Sequence, residues 1–309
     1  MSSCRTVGAG PSSGSGLYGV NLQARRRPGE AAIKGVLLVC ALLSVAITIG
    51  IVLALVEPVL HFFAEVPFGA FFATTGEFAV LPLVGGTLMV TLIALTVAVP
   101  LGLGAAMYLS EYASPRVRKI LKPTLELLAG VPSVVYGFFA LMFVTPTLLQ
   151  DILAVDVNFT NALAAGLVLG VMIIPTIASL AEDALTAVPL ALRQGSFAMG
   201  ANRMQTTLRV VMPAALSGVA AAVVLGLSRA IGETMIVALA AGGQKNLSPD
   251  PREGMQTMTG FIAQTAGGEN PVGSTSYNTL FAVGLLLFVI TLVVNVVSIA
   301  LVRRFRQVY

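Results

Sequence analysis

The 309-residue chain has no tryptophan, one histidine and two cysteines, and only 10% of its residues are charged. Soluble domains carry about 25% charged residues. A deficit this deep, beside 56% hydrophobic residues, excludes an ordinary soluble domain. The cysteines offer no disulfide framework, because Cys4 sits in a polar tail and Cys40 in an apolar run. His61, at the edge of that run, reads as an interfacial residue. Without tryptophan the aromatic belt of a membrane protein is thin. No Gly-x4-Gly-Lys-Ser/Thr phosphate cradle occurs, so ATP-driven work would need an ATP site on another polypeptide. Nothing in the sequence forms a nucleophile–base pair or a metal cluster, which argues against an enzyme.

What the chain does have is long apolar runs. Residues 1–29, rich in Ser, Gly and Arg, read as a disordered cytoplasmic tail. Six runs follow, at about 33–56, 83–108, 123–149, 161–181, 214–241 and 277–302. Each is near or above the ~20 residues that cross a hydrocarbon core. The first is too long for a signal-peptide core of about 7–15 residues. Spanning segments of this kind must be helices, since a lone strand in lipid leaves its backbone groups unpaired. The expected fold is an all-α membrane protein with six transmembrane helices.

Basic residues set the expected orientation. The tail holds Arg5, Arg25, Arg26, Arg27 and Lys34; the loop after the second run holds Arg116, Arg118, Lys119 and Lys122. Arg193, Arg203 and Arg209 follow the fourth run, and Arg303, Arg304 and Arg306 close the chain. The opposite loops hold only Lys245 and Arg252 against eight carboxylates. The positive-inside rule then places both termini in the cytoplasm. The net charge of +4 follows from this asymmetry and does not suggest a nucleic-acid partner. Six of the fifteen phenylalanines, from Phe62 to Phe78, fall in the first outer loop and are expected along the outer interface. Pro100, Pro132, Pro146 and Pro175 lie within runs and can kink their helices.

Two opposite charges interrupt the fifth run: Arg229 and Glu233, in Ser228-Arg229-Ala230-Ile231-Gly232-Glu233-Thr234-Met235. A charge at mid-bilayer costs roughly 2.5–3.5 kcal/mol on insertion scales. At i and i+4 of one helix the two share a face. They read either as an ion pair that locks helix register or as a transport site, with Arg229 gripping a phosphate-like oxyanion through its planar fork. In the second reading Glu233 holds the guanidinium when no cargo is present. On the same helix Ala214, Gly218, Ala222, Gly226 and Ala230 form a small-residue stripe suited to close helix packing.

The segment 182–213 is the longest loop on the basic side. It reads as two short amphipathic helices broken at Gly200, with Phe197, Met199, Met204, Leu208 and Val211 as an apolar face. Such a face, exposed to the cytoplasm, needs a partner or a membrane surface. This loop resembles the coupling loop of ABC importer permeases, E-A-A-x3-G-x9-I-x-L-P. Gly200 and Pro213 stand thirteen residues apart as in that pattern, with Val210 and Met212 in place of Ile and Leu. Gln194-Gly195-Ser196 replace Glu-Ala-Ala, so the resemblance carries no acidic contact to an ATPase at that point.

Leu128-Ala129-Gly130-Val131-Pro132-Ser133-Val134-Val135-Tyr136-Gly137 in the third run, taken with the sequence around Arg229, resembles the phosphate (Pst) branch of these permeases, PstC-like subunits in particular. The resemblance covers roughly residues 30–305. It implies a type I ABC importer permease in the bacterial plasma (inner) membrane. It further implies a PstA-like permease partner, a dimer of PstB-like ATPases and a PstS-like binding protein outside, with no cofactor in this chain and ATP on the partner. By the same resemblance Arg229 and Glu233 line the substrate pathway, while Gln194, Gly195, Ser196, Gly200 and Pro213 serve ATPase coupling. Other readings stay open from the residues: a permease for sulfate or molybdate, a transporter driven by an ion gradient through Glu233, or a sensor without flux.

Overall fold

The computed structural model describes residues 28–268 and 270–304. Most of the expected tail therefore lies outside the described residues; Pro28 and Gly29 open the first helix. Among the described residues every regular element is a helix. Five helices are long and apolar enough to cross a membrane, and a sixth span arises if one bent pair is counted as one.

Helix α1 runs from Pro28 to Glu65. Its first part, to Ile51, is a unit of its own with residues 32–51 exposed throughout. From Val52 the chain belongs to the second unit. There Phe62 and Phe71 are buried, the latter from the short α2 (Phe68–Phe71). Phe62 meets Phe71 and Phe78 edge-on at 5.5 and 5.8 Å, and Phe63 stacks on Phe68 at 4.2 Å. The expectation of an interfacial belt is thus corrected for part of the set. Burying such a ring gains about 1.5–3 kcal/mol over leaving it exposed, and the loop folds back to do so against Met258 and Val283.

The frame is α3 (Leu81–Met107) against α6 (Ala162–Thr186). Gly166 and Gly170 make the approach possible: a Cβ on Gly170 would lie 2.8 Å from the Ala94 carbonyl oxygen. Helix α10 (Leu216–Gly232) also packs on α6, next to α3, through the part of the predicted stripe that follows Ala214. Gly226 fits against Ile177 and Ile173, Gly218 against Ala184, and Ala222 and Ala230 are buried. Helix α13 (Thr275–Arg304) supplies the last span.

Three runs are built differently from the expectation. The third begins not at 123 but after a break at Gly130–Pro132. Pro123 belongs to α4 (Pro115–Ala129), an amphipathic helix with no buried residue. The span itself is α5 (Ser133–Phe139) with the π-helical continuation Ala140–Ile152. The residue before a proline disfavours the helical region, which places the break at Val131–Pro132. The Tyr136 hydroxyl donates to Leu128 O at 3.0 Å across it. Second, the helix of the fourth run extends to Thr186, so the loop taken as 182–213 begins inside α6. Third, the fifth run is interrupted: α10 ends at Gly232 and α11 (Met235–Ala240) follows.

Candidate functional site: the broken fifth span and its coupling helices

The break falls on the second of the two intramembrane charges. Glu233 leaves the helix with φ −67° and ψ 133°. Its carboxylate turns forward and accepts from Met235 N at 3.1 Å and Ile236 N at 3.4 Å, heading α11. Its carbonyl accepts from the Thr259 hydroxyl at 2.6 Å. The expected i, i+4 alignment with Arg229 therefore does not exist, because i+4 is no longer on the helix. Among the described residues Arg229 forms no ion pair with Glu233. The half-buried guanidinium donates instead to Thr176 Oγ1 on α6 at 2.9 Å. The readings of a register lock, and of Glu233 holding the guanidinium, are both corrected. What the structure presents is a cation inside the bundle whose hydrogen-bond partner is a neutral hydroxyl.

Next to it, Ser228 Oγ donates to Asn295 Oδ1 on α13 at 2.5 Å. Thr176 and Asn295 are polar neighbours that the sequence reading did not single out; a polar residue in an otherwise apolar run was the available signal for both.

The segment around Gly200 has the expected two-helix form. Helix α7 (Leu190–Ala198) carries Gln194, Gly195 and Ser196. Gly200 turns the chain with φ +83°, in the left-handed region that favours glycine, and no atom would lie near an added Cβ. Helix α8 (Arg203–Thr206) then starts from an Asn202–Gln205 capping box, and continues through a π-helical turn, Thr207–Val211, into α9 (Met212–Ala214). Ser196 Oγ lies 2.9 Å from Thr206 Oγ1, which ties the two helices together. Gln194, Gly195 and Gly200 are exposed, as are Phe197, Met204, Leu208 and, at 88%, Met199. The tip is thus an exposed apolar patch. Pro213 sits in α9, where the chain bends by 74° into α10.

Between α4 and α6 is a charge cluster that the sequence reading also missed. Glu182 of α6 is fully buried and holds both Arg118 and Lys122 of α4, the latter at 2.8 Å. Lys122 also reaches Asp183 at 2.7 Å, and Thr186 Oγ1 donates to Glu182 at 3.0 Å. The hydrogen bonds it donates to Asp183 and Glu182 raise the Lys122 ammonium above its ordinary range. At the opposite end, burial pushes the Lys245 ammonium down, while Arg252 holds the Asp250 carboxyl at about 2. The available signal for Glu182 was a carboxylate directly after the fourth apolar run.

Residues 98–307 match the family described as the binding-protein-dependent transport system inner membrane component. The chain belongs to that family. It is 39% identical over 215 residues to the probable ABC transporter permease protein YqgH of Bacillus subtilis, covering 70% of this chain and 69% of that one. To the phosphate transport system permease protein PstC 1 of Mycobacterium tuberculosis it is 38% identical over 259 residues, covering 77% and 74%. Among solved structures, a bacterial alginate ABC transporter in complex with an alginate pentasaccharide-bound periplasmic protein matches with TM-score 0.64. That match covers 90% of this chain and 98% of the other, at 17% identity, and so supports the fold alone. The permease is a multi-pass inner-membrane protein of a transport family, and its class works with an ATPase and a substrate-binding protein.

Proposed function

We propose that this permease forms half of the transmembrane path of an ATP-driven importer of inorganic phosphate. Its relatives at 38% identity are named phosphate permeases. The observation that carries the reading is Arg229, a half-buried guanidinium inside the bundle that donates to Thr176 and to no carboxylate among the described residues. Phosphate near neutral pH is an anion, and a fixed planar cation lowers the cost of removing it from water. Thr176 is a weak competitor, so cargo can displace it. Glu233, in the unwound turn that follows, adds a negative group that limits how tightly the anion is held. A discontinuous span beside a charged group is a recurrent design for a transport site.

In this reading both termini are cytoplasmic, Gln194, Gly195, Ser196 and Gly200 meet a PstB-like ATPase, and Pro213 joins that surface to α10. A PstA-like permease completes the path, and a PstS-like protein delivers phosphate from outside. ATP is bound by the ATPase chains, and this chain carries no cofactor of its own.

The test is phosphate uptake by vesicles holding the complete complex. Arg229→Ala should abolish uptake at normal complex yield, and Arg229→Lys should be impaired because the fork is lost while the charge stays. Normal uptake by Arg229→Ala would remove the cargo role. Uptake of sulfate in preference to phosphate would favour the other oxyanion permeases.

A further inference from the structure

The bend of 74° between α9 and α10 bears on how motion of the coupling helices enters the bundle. A push along α8 and α9 is not delivered straight down α10, because the axis turns at Ala215. The structure holds a second, sideways route. Helix α3 ends in a π-helical turn, Tyr108–Tyr112, and two adjacent residues of that turn receive one arginine from each coupling helix. Arg193 of α7 pairs with Glu111 at 3.1 Å, with only 14% and 7% of the two side chains exposed. The same Arg193 nitrogen donates to Leu185 O in the last turn of α6 at 2.7 Å. Arg203 of α8 places its guanidinium carbon 5.7 Å from the centre of the Tyr112 ring, within cation–π range.

We propose that Glu111 and Tyr112 form the bearing through which the coupling helices drive the α3–α6 frame, with the Glu111–Arg193 pair as its positioning contact. The proposal rests on the assignment of α7 and α8 to ATPase coupling. Three observations support it. The pair is nearly dry, so it is poorly screened and directional. It joins three elements, α3, α6 and α7, at one guanidinium. And it is unsaturated on the cation's side: Arg193 Nε is buried without a hydrogen-bond partner. A guanidinium paired through one nitrogen, with another donor idle, has a second arrangement available. In that arrangement the fork meets the carboxylate side-on. Motion of α7 would exchange the two, and α3 would carry the result to α6, because the glycine-mediated contact between them leaves no slack.

The experiment measures phosphate moved per ATP hydrolysed by the complete complex in vesicles supplied with its binding protein. Glu111→Gln should leave basal ATP hydrolysis and complex yield unchanged and lower the ratio by about tenfold, within the usual size of a coupling between sites. Arg193→Gln and the double variant Glu111→Gln/Arg193→Gln should lower it to the same level, because one contact can be lost only once. Tyr112→Leu should lower the ratio less, and Tyr112→Phe should leave it intact. A ratio within twofold of wild type in Glu111→Gln, losses that multiply in the double variant, or a loss of complex yield that parallels the loss of transport would each overturn the proposal. If wild-type vesicles move no phosphate, the transport reading fails instead; a transporting wild type beside a fully coupled Glu111→Gln refutes the bearing alone.

Discussion

Replacing Glu182 with alanine should loosen α4 from the bundle. Glu182 is fully buried, and its two oxygens are shared among Arg118, Lys122 and Thr186. Alanine removes the acceptor and leaves two cations facing an apolar helix. Breaking a fully buried ion pair costs 3–5 kcal/mol. Here the cations are 36% and 28% exposed, and Lys122 keeps Asp183, so water and that second carboxylate recover part of the loss. The expected destabilisation is about 2 kcal/mol, or roughly 30-fold in the local equilibrium. Glu182→Gln, which keeps an acceptor, should cost about half as much. Replacing Glu182, Arg118 and Lys122 together by methionine should restore most of the loss, since apolar groups of similar volume often match a buried ion pair. The assay is thermal unfolding of the purified permease in detergent, with labelling of a cysteine placed at Leu125 reporting detachment of α4. The pH dependence follows from Lys122. Its folded pKa is raised above 10.5, so its contribution is complete below 10.5 and is lost only as pH climbs through the higher folded value. The penalty of Lys122→Met should therefore be flat from neutral pH to about pH 9 and shrink only in strong alkali. A Glu182→Ala protein that melts with the wild type, or a Lys122→Met penalty that fades near neutrality, would refute the reasoning.

Two other substitutions test the backbone. At Gly200 the φ of +83° penalises side chains while the space around the site is open, so the penalty is conformational. Gly200→Asn should couple ATP hydrolysis to transport nearly normally, and Gly200→Val should uncouple them, as read by phosphate moved per ATP. At Gly170 the obstacle is the opposite one, an Ala94 carbonyl oxygen 2.8 Å from a new Cβ. Gly170→Val should cost about 1–3 kcal/mol or more in thermal unfolding, as overpacking does; an unchanged melting curve would mean that α3 and α6 are not in the tight contact described.

Much of this architecture was legible in the apolar runs, because hydrocarbon thickness and backbone pairing leave little choice of element. The stripe from Gly218 to Ala230 did become the α10–α6 contact, since small residues four apart sit on one helix face, whereas Ala214 falls in α9 before the bend. Gly200 did break the coupling segment, because glycine tolerates the left-handed turn. What periodicity could not reveal was a break held by hydrogen bonds of one residue, two of them local and one tertiary. The sequence from Ser228 to Met235 has no proline, and the helix ends there because Glu233 finds Met235 N, Ile236 N and Thr259 to bond. A spacing of four predicted an ion pair only on the assumption that the helix continued. Similarly, Glu111–Arg193 and Glu182–Arg118 join residues 82 and 64 positions apart. No local pattern announces such pairs.

The gap at Glu233 also sets a limit on how dry this protein can become. A continuous helix can be sealed in hydrocarbon because each carbonyl has an amide one turn on, whereas a break frees polar backbone that lipid cannot accommodate. Here a glutamate, two threonines and an exposed glycine, Gly232, surround that freed backbone. The interruption therefore marks the depth at which the bundle must carry polar side chains, and Gly232 leaves it open on one side. Any state that leaves the break dry must keep the Thr234 and Thr259 hydroxyls and the Glu233 carboxylate in place, because they are the partners that its carbonyls and amides use.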